Sequence, residues 1–309
     1  MSAHARVVVL GTGGTIAAVD GPGGAVPRVD VGDLVGTRDP AVEARSVMAV
    51  DSSAMTPALQ RRVLGAVAEA LADPDVAGVV ITHGTDTLEE TAMLLDLTHA
   101  DPRPVVLTGA QRPASDPDPD GPTNLTAAIA VARDPSARGR GVLVALGGSV
   151  LPARGVAKRS TTDVDAFAAA VLSPARPLMP PVDAPGPRVD LLAAHPGMDV
   201  GLVDICVDRG AAGLVVAAYG SGNVHPDLAD RLRAAVRAGV LVVVTTRLPD
   251  GPVVATYGGG GGAVDLTAAG VLVSPWLRAP QARVVVAEGL ARGWDAPRIS
   301  PFLDLVPAR

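Results

Sequence analysis

Short apolar runs alternate with longer amphipathic stretches through the first half of the chain. Each run spans four or five residues and is rich in β-branched or aliphatic side chains, which is typical of a buried strand. The predicted strands are Arg6–Leu10, Ser46–Val50, Gly78–Ile81, Pro104–Leu107 and Val142–Ala145. Because helical stretches separate them, the pattern predicts an α/β fold with a mainly parallel sheet.

Polar residues with a capping role mark the predicted helix starts. Thr56-Pro57 predicts a helix with Thr as its N-cap and Pro at its first position. Thr87, followed three residues later by Glu90, matches a capping box and predicts a helix that runs to about His99. A further helix is predicted over Thr123–Arg133.

A proline-rich segment divides the chain. Residues 173–188 hold six prolines and no regular period, so we predict a linker there. Beyond it we predict strands Val189–Ala193, Ala212–Ala217 and Val240–Thr245 and helices Gly201–Arg209, His225–Ala238 and Pro280–Arg292. The chain therefore reads as a large N-terminal α/β domain (1–172) and a smaller C-terminal α/β domain (189–309). Five consecutive glycines, Gly258–Gly262, predict either a mobile loop or a close backbone contact.

Charge and composition argue against several classes of function. The chain of 309 residues has a formal net charge of −6 and only two each of Phe, Trp and Tyr, which disfavours a nucleic-acid partner. A lone Cys206 and five scattered His disfavour disulfides and a metal site. The longest apolar stretches, such as Gly239–Val244, fall far short of the ~18 residues of a membrane span. The apolar run Val7–Leu10 is also too short for a signal peptide, so we expect a cytoplasmic protein without a membrane partner.

Two threonine-rich loops follow predicted strands, where parallel sheets usually bind their ligands. In the first, Gly11–Ala17, Ile16 stands where the third glycine of a dinucleotide-binding loop belongs, so that interpretation fails. A glycine turn whose threonines satisfy the backbone remains an alternative explanation of this loop. The second loop, Thr82–Thr87, contains more hydroxyl groups than a helix start requires, and a helix N-terminus attracts anions.

Lys158 is the only lysine in the chain, so the other 25 of the 26 basic residues are arginines. An amine differs from a guanidinium where a site needs a compact donor or a group that can release its proton. Lys158 is therefore either a chemical group of the site or an accident of composition.

Together these segments resemble the bacterial L-asparaginase family, of the asparaginase/glutaminase type. The sequences GTGGTIA at 11–17 and THGTDTLEETA at 82–92 are nearly complete versions of the two family signatures. Further agreement covers TGAQRP at 108–113, DGPTNL at 120–125, KRSTTD at 158–163, GSGN at 220–223 and QARV at 281–284. The resemblance implies a large N-terminal α/β domain, a linker and a smaller C-terminal α/β domain.

The resemblance also implies a reaction and a set of site residues. The family hydrolyses the side-chain amide of asparagine, and often of glutamine, with a threonine nucleophile and no cofactor or metal. The nucleophile corresponds to Thr15, and the family's Thr, Asp and Lys correspond to Thr85, Asp86 and Lys158. Ser52 corresponds to the serine that binds the substrate α-carboxylate. The expected substrate contacts are Ser52, Ser53, Gly84, Thr85, Asp86, Ala110 and Asn223.

These residues suit the chemistry that the resemblance implies. A threonine hydroxyl is a weak nucleophile until a base removes its proton, and Lys158 beside Thr85 is expected to relay that proton. Asp86 is expected to bind the substrate ammonium, and backbone N–H groups of the Gly11–Gly14 loop and around Thr85 to stabilise the oxyanion. Asn223 matches a residue that a neighbouring subunit contributes, so we expect a homotetramer built as a dimer of dimers.

Three positions depart from the family pattern. Residues 18–36 contain no Tyr where the family has one bonded to its nucleophile, and Ser53 replaces the usual Gln. No acid stands at Gly262 or Ala263, where a partner's Glu normally contacts the substrate ammonium. Two other functions stay open: a related amidase that prefers glutamine or another amide, and a non-catalytic amino-acid-binding protein on the same scaffold.

Overall fold

The computed structural model of the protein describes residues 6–36, 39–171 and 173–305. Contacts between residues divide the chain into two units, 1–172 and 173–309. The strands of the first unit are β1 (Arg6–Gly13), β2 (Ala18–Val19), β3 (Val26–Pro27), β4 (Val42–Val50), β5 (Val76–Thr82), β6 (Val105–Thr108), β7 (Val142–Leu146), β8 (Ser149–Pro152), β9 (Val156–Lys158) and β10 (Phe167–Ala169). Its helices are α1 (Val31–Val35), α2 (Pro57–Leu71), α3 (Leu88–Thr98) and α4 (Gly121–Arg133).

Six of these strands form one sheet, in the order β4-β1-β5-β6-β7-β8. The first five are parallel, and β8 runs antiparallel to β7 at the edge. The mainly parallel sheet predicted from the sequence is therefore confirmed. Two small antiparallel pairs, β2–β3 and β9–β10, lie outside this sheet.

Helices cover both faces of the sheet, which explains why its central strands β5, β6 and β7 are apolar almost throughout. Alternate residues of β1 separate the two cores. Val8 and Leu10 belong to the cluster that includes α2 and α3, whereas Val7 and Val9 belong to the cluster that includes α1 and α4. The sheet is thus the middle layer of three.

The helix cap predicted at Thr56 is present in the structure, whereas the one predicted at Thr87 is absent. Thr56 caps α2 by accepting the Leu59 N–H at 3.2 Å, as the sequence predicts. Thr87 precedes α3 but makes no side-chain cap bond, so the predicted capping box is wrong. The Thr87 hydroxyl instead donates to the Ser52 carbonyl at 2.9 Å. A tertiary contact has replaced the local one.

The second unit has its own parallel sheet, in the order β11-β12-β13-β14. Its strands are β11 (Val189–Ala193), β12 (Gly213–Ala218), β13 (Leu241–Thr246) and β14 (Leu272–Val273). Its helices are α5 (Leu202–Asp208), α6 (Pro226–Arg237), α7 (Ala263–Ala268), α8 (Ala279–Ala291) and α9 (Ala296–Ile299). The cluster on one face combines alternate residues of β12 and β13 with α6, and α8 packs against β11, β12 and β13.

The proline-rich and glycine-rich segments both pack within this second unit. In segment 173–188, the Ala175 N–H donates to the Leu305 carbonyl at 2.8 Å, and Gly186 lies directly against the backbone of Ala287. In the run of five glycines, a Cβ on Gly261 or Gly262 would overlap a carbonyl oxygen of Val224 or Tyr257. Close backbone contact, one of the two predicted explanations, therefore accounts for these last two glycines.

No helix within the described part of the chain is long and apolar enough to cross a membrane.

Candidate active site

The carboxyl edge of the six-stranded sheet carries most of the residues singled out from the sequence. β4, β1, β5 and β6 are adjacent and parallel, so the loops that follow them emerge side by side. Thr15 follows β1, Ser52 and Ser53 follow β4, Gly84, Thr85 and Asp86 follow β5, and Ala110 follows β6. Asn223 lies in the second unit, where it forms a bridge with Tyr219 in the turn after β12.

Two glycines bring the loops that carry Thr15 and Thr85 into backbone contact. Gly14 has a φ of +79°, and a Cβ on it would overlap the Cα and N atoms of Gly84. A Cβ on Gly84 would lie 3.1 Å from the Gly14 Cα and 2.5 Å from the Ser52 Oγ. Since Thr15 and Thr85 directly follow these glycines, the contact places the two threonines on touching loops.

Lys158 joins this site from the end of β9. Its Nζ donates to the Thr85 Oγ1 at 2.8 Å and to the Asp86 Oδ1 at 2.7 Å. The Lys158 side chain is 20% exposed, whereas the Asp86 side chain is 59% exposed. The amine is therefore packed against the threonine, and the carboxylate stays accessible to a cationic group of a ligand.

Gln111, Asp120 and Asn124 support the same site, and sequence reasoning gave them no role. The Thr85 hydroxyl donates to the Gln111 Oε1 at 3.3 Å, and the Gln111 Nε2 donates to the Ser160 carbonyl at 3.3 Å. The Asp120 carboxylate accepts the Gln111 N–H and a bond from the Asn124 side chain. All three residues lie in the segments 108–113 and 120–125. These segments contain more polar residues than a turn or a helix start requires, and this excess is the sequence signal that could have indicated them.

Ser52 is buried and engaged with the second loop. Its Oγ accepts the Asp86 N–H at 3.2 Å, which leaves the hydroxyl proton available to a ligand carboxylate. Ser53 is exposed, and its N–H and side chain bind the Asp51 carboxylate and lower the pKa of Asp51. Ala110 is fully buried, backbone as well as side chain.

Two backbone amides near the threonines are already bonded to protein groups. The Gly14 N–H donates to the Val50 carbonyl at 3.1 Å, and the Asp86 N–H donates to the Ser52 Oγ. Of the N–H groups expected to stabilise the oxyanion, the one on Gly14 is therefore already engaged within the protein. Its amide is used to fix the loop against the residue that ends β4.

His83, just before Gly84, is fully buried and lies in the middle of this structure. Its Nδ1 is 2.7 Å from the Gly84 carbonyl oxygen, which makes Nδ1 the protonated nitrogen. Burial lowers the pKa of His83 to about 4, and the bond to Gly84 opposes that shift. The imidazole is therefore neutral near pH 7 and holds the Gly84 peptide in place.

Glu89 is a second residue that the sequence did not single out. It lies in the first turn of α3, and its Oε2 accepts the backbone N–H of Lys158 at 2.8 Å. Burial raises the pKa of Glu89 to about 7, and the charge of Glu90 adds to that shift, while the bond and the charge of Lys158 oppose it. Among the described residues no group of three or more His, Cys, Asp or Glu could hold a metal ion.

Both parts of the chain match models of known protein domains. Residues 6–178 match the model described as "Asparaginase, N-terminal", and residues 188–302 match "Glutaminase/Asparaginase C-terminal domain". The two matches together cover nearly the whole chain.

Relatives and solved structures of similar sequence extend along both units. A probable L-asparaginase of Deinococcus radiodurans is 36% identical over 301 residues, which is 91% of each chain. A probable periplasmic L-asparaginase of Haemophilus influenzae is 36% identical over 74% of this chain and 70% of its own. The crystal structure of a probable cytoplasmic L-asparaginase from Campylobacter jejuni superimposes with a TM-score of 0.84 at 30% identity, over 97% of this chain and 99% of that one.

Proposed function

This chain belongs to the asparaginase family, and from that membership we propose that it is an L-asparaginase with Thr15 as its nucleophile. It hydrolyses the side-chain amide of L-asparagine to L-aspartate and ammonia. One observation carries the proposal: the Lys158 amine lies 2.8 Å from the Thr85 hydroxyl and 2.7 Å from the Asp86 carboxylate. A threonine, an amine and an acid in contact form a path for the proton that an attacking hydroxyl must lose.

The substrate is held at its two charged ends. The Ser52 hydroxyl donates to the α-carboxylate, and the exposed carboxylate of Asp86 pairs with the α-ammonium. Gly84 and Ala110 complete the expected set of contacts, and both are buried at the floor of the loops that carry Thr15, Ser52 and Thr85. Ser53 lies at the exposed margin of this pocket.

Thr15 attacks the side-chain carbonyl and forms an acyl-enzyme, and its proton passes through Thr85 to the neutral form of the Lys158 amine. The proton then returns to the departing nitrogen, which leaves as ammonia. In the second half of the reaction water attacks the acyl group and loses one proton by the same path, the bond between the Thr15 oxygen and the acyl carbon breaks, and that proton returns to the Thr15 oxygen as aspartate is released. In the resting site the Thr85 hydroxyl donates a hydrogen bond to the Gln111 Oε1, and this bond orients the hydroxyl.

The assembly and location of the protein are part of the same proposal. We expect a homotetramer, a dimer of dimers, in which Asn223 of one subunit completes the site of its neighbour. We also expect the protein in the cytoplasm, as in the Campylobacter jejuni protein that matches nearly the whole chain. Light scattering that gave a fully active monomer would contradict the assembly.

Ammonia release from L-asparagine, L-glutamine and D-asparagine tests the function directly. We expect turnover of L-asparagine above that of the other two amides. Faster release from glutamine would favour the related amidase, which the departures at Ser53 and Gly262 leave open. Calorimetric binding of asparagine without any ammonia would favour the non-catalytic binding protein.

A further inference from the structure

We propose that Glu89 is a positioning residue for the reaction, and that its carboxylate sets the place of Lys158 by binding the Lys158 backbone N–H. The inference rests on the proposed role of Lys158 as the proton carrier. It concerns a residue that touches no reacting atom and acts only through the lysine.

The strand that carries Lys158 is weakly anchored by sheet pairing. β9 has three residues, Val156–Lys158, and among the strands of the described residues it pairs only with β10, outside the six-stranded sheet. Lys158 is its last residue and lies opposite Phe167. The position of the Lys158 Cα therefore depends on contacts other than a central sheet.

Glu89 supplies such a contact from the helix that carries the other half of the site. Thr85 and Asp86 precede α3, and Glu89 is the second residue of that helix. Its Oε2 holds the Lys158 N–H at 2.8 Å, while the Lys158 Nζ reaches back to Thr85 and Asp86. Lys158 is thus held at its backbone and at its amine by one continuous segment, residues 85–89. Any movement of β9 relative to α3 changes both distances together.

Partial burial makes the Glu89 carboxylate costly, which distinguishes it from a fully exposed charge at a helix start. Negative side chains stabilise a first helical turn, and Glu90 in the same turn can fill that role. A half-buried carboxylate pays part of a desolvation penalty that a glutamine would largely avoid. The charged groups that bear on Glu89 are Glu90 on α3 and Lys158 on β9, with Asp86 reached through the Lys158 amine.

The single lysine gives a direct measurement of the bond. Protein labelled with [15N]lysine has one lysine backbone amide, that of Lys158. We expect its proton resonance to move downfield as the pH rises, with a midpoint of about 7, because the ionised Glu89 is the stronger acceptor. In E89Q this transition is lost, whereas in E90Q it persists at a lower midpoint, since the Glu90 charge raises the pKa of Glu89. A resonance that titrates alike in the parent and in E89Q overturns the proposal.

Kinetics test whether the bond matters for the reaction. We expect kcat of E89A to fall by ~10–100-fold, because a displacement of about 1 Å at a reacting group can cost that much. KM should stay within about threefold, since Ser52 and Asp86 remain, and E89Q should recover most of kcat because its amide oxygen can accept the same N–H. E90A, the matched control in the same helix turn, should keep the parental kcat.

Each outcome separates this proposal from the proposed function. A parent protein that releases no ammonia refutes the function, while the lysine amide still reports on the bond. If the parent is active and E89A has the same kcat as the parent, the positioning role alone is refuted. It is also refuted if kcat of E89Q falls as far as kcat of E89A. Should E89A fail to fold, E89Q and the amide titration decide the question.

Discussion

Replacement of Lys158 by arginine separates a proton-carrying amine from a simple positive charge. Arginine keeps the charge and can still pair with Asp86, but its guanidinium stays protonated in proteins and cannot take a proton from Thr85. Loss of general-base catalysis lowers kcat by ~10²–10⁴-fold. At 1.36 kcal/mol per tenfold, that range is about 2.7–5.4 kcal/mol of transition-state stabilisation.

The tight contacts of the Lys158 amine add to the loss of activity expected for K158R, whereas the free energy of unfolding should change little. The Lys158 amine has contacts of 2.8 and 2.7 Å on two sides and its side chain is only 20% exposed, so a longer side chain that ends in a planar fork does not fit unchanged. Asp86 is 59% exposed, and an ion pair with an exposed partner contributes about 0–1 kcal/mol to the free energy of unfolding. We therefore expect a large fall in kcat with a nearly constant Tm.

The assay is ammonia release at saturating L-asparagine, with KM and the thermal unfolding curve measured on the same samples. R159K is the matched control, because it makes the reverse exchange at the next, exposed residue. We expect R159K to behave as the parent. A K158R variant that hydrolyses asparagine at the parental rate would refute the proton relay and leave the single lysine as an accident of composition.

Three further predictions follow from the site and from the core beneath it. T15A should lower kcat by on the order of 10³-fold or more, as loss of a nucleophile does, with an unchanged Tm; a rate within tenfold of the parent would exclude Thr15 as the nucleophile. S52A should raise KM by ~10–100-fold, the worth of a hydrogen bond to a charged group, with kcat within about threefold; a fall in kcat at constant KM would contradict its binding role. D96N should lower the free energy of unfolding by about 3–5 kcal/mol in urea titrations, because Asp96 and Arg154 form an ion pair in which each side chain is only 1% exposed. D230N, which breaks a surface ion pair, should cost no more than about 1 kcal/mol, and equal losses would refute the argument from burial.

The architecture could be predicted because it depends on local patterns. The runs that became β1, β5, β6 and β7 are apolar apart from Arg6 at the start of β1, since both faces of the sheet are covered, and glycine or polar residues follow most of them. The expected loops then meet at one edge because parallel adjacent strands end on the same side. Thr85, Asp86 and Ser52 are found together for that reason.

The strand that carries Lys158 could not be predicted in the same way. β8, β9 and β10 have three or four residues each, and their runs are broken by Pro152 and Gly155. Such short strands are stabilised by pairing with neighbouring strands, and they are too short to show an alternating pattern of apolar and polar residues in the sequence. The role of Glu89 depends on β9 and was invisible for the same reason.

Thr87 shows how a local rule fails when a tertiary partner competes. Thr87 and Glu90 fit the capping box at every position, yet the hydroxyl binds the Ser52 carbonyl, 35 residues away in the sequence. A carbonyl on a neighbouring loop needs a donor, as the first N–H groups of a helix need an acceptor. The local sequence does not indicate whether the Thr87 hydroxyl caps the helix or binds the Ser52 carbonyl.

The contact between Gly14 and Gly84 limits how this sequence can change over evolutionary time. Residues in contact are energetically coupled, so a substitution at one position of a core can be compensated by a smaller side chain at the other. That route is closed at Gly14, because a Cβ there would overlap backbone atoms of Gly84 and no smaller residue exists to make room. At Gly84 a Cβ would first meet the Ser52 side chain, which a substitution can shorten. A saturation library should therefore contain no second-site suppressor for Gly14, and that position should be invariant without covariation, whereas changes at Gly84 should covary with changes at Ser52.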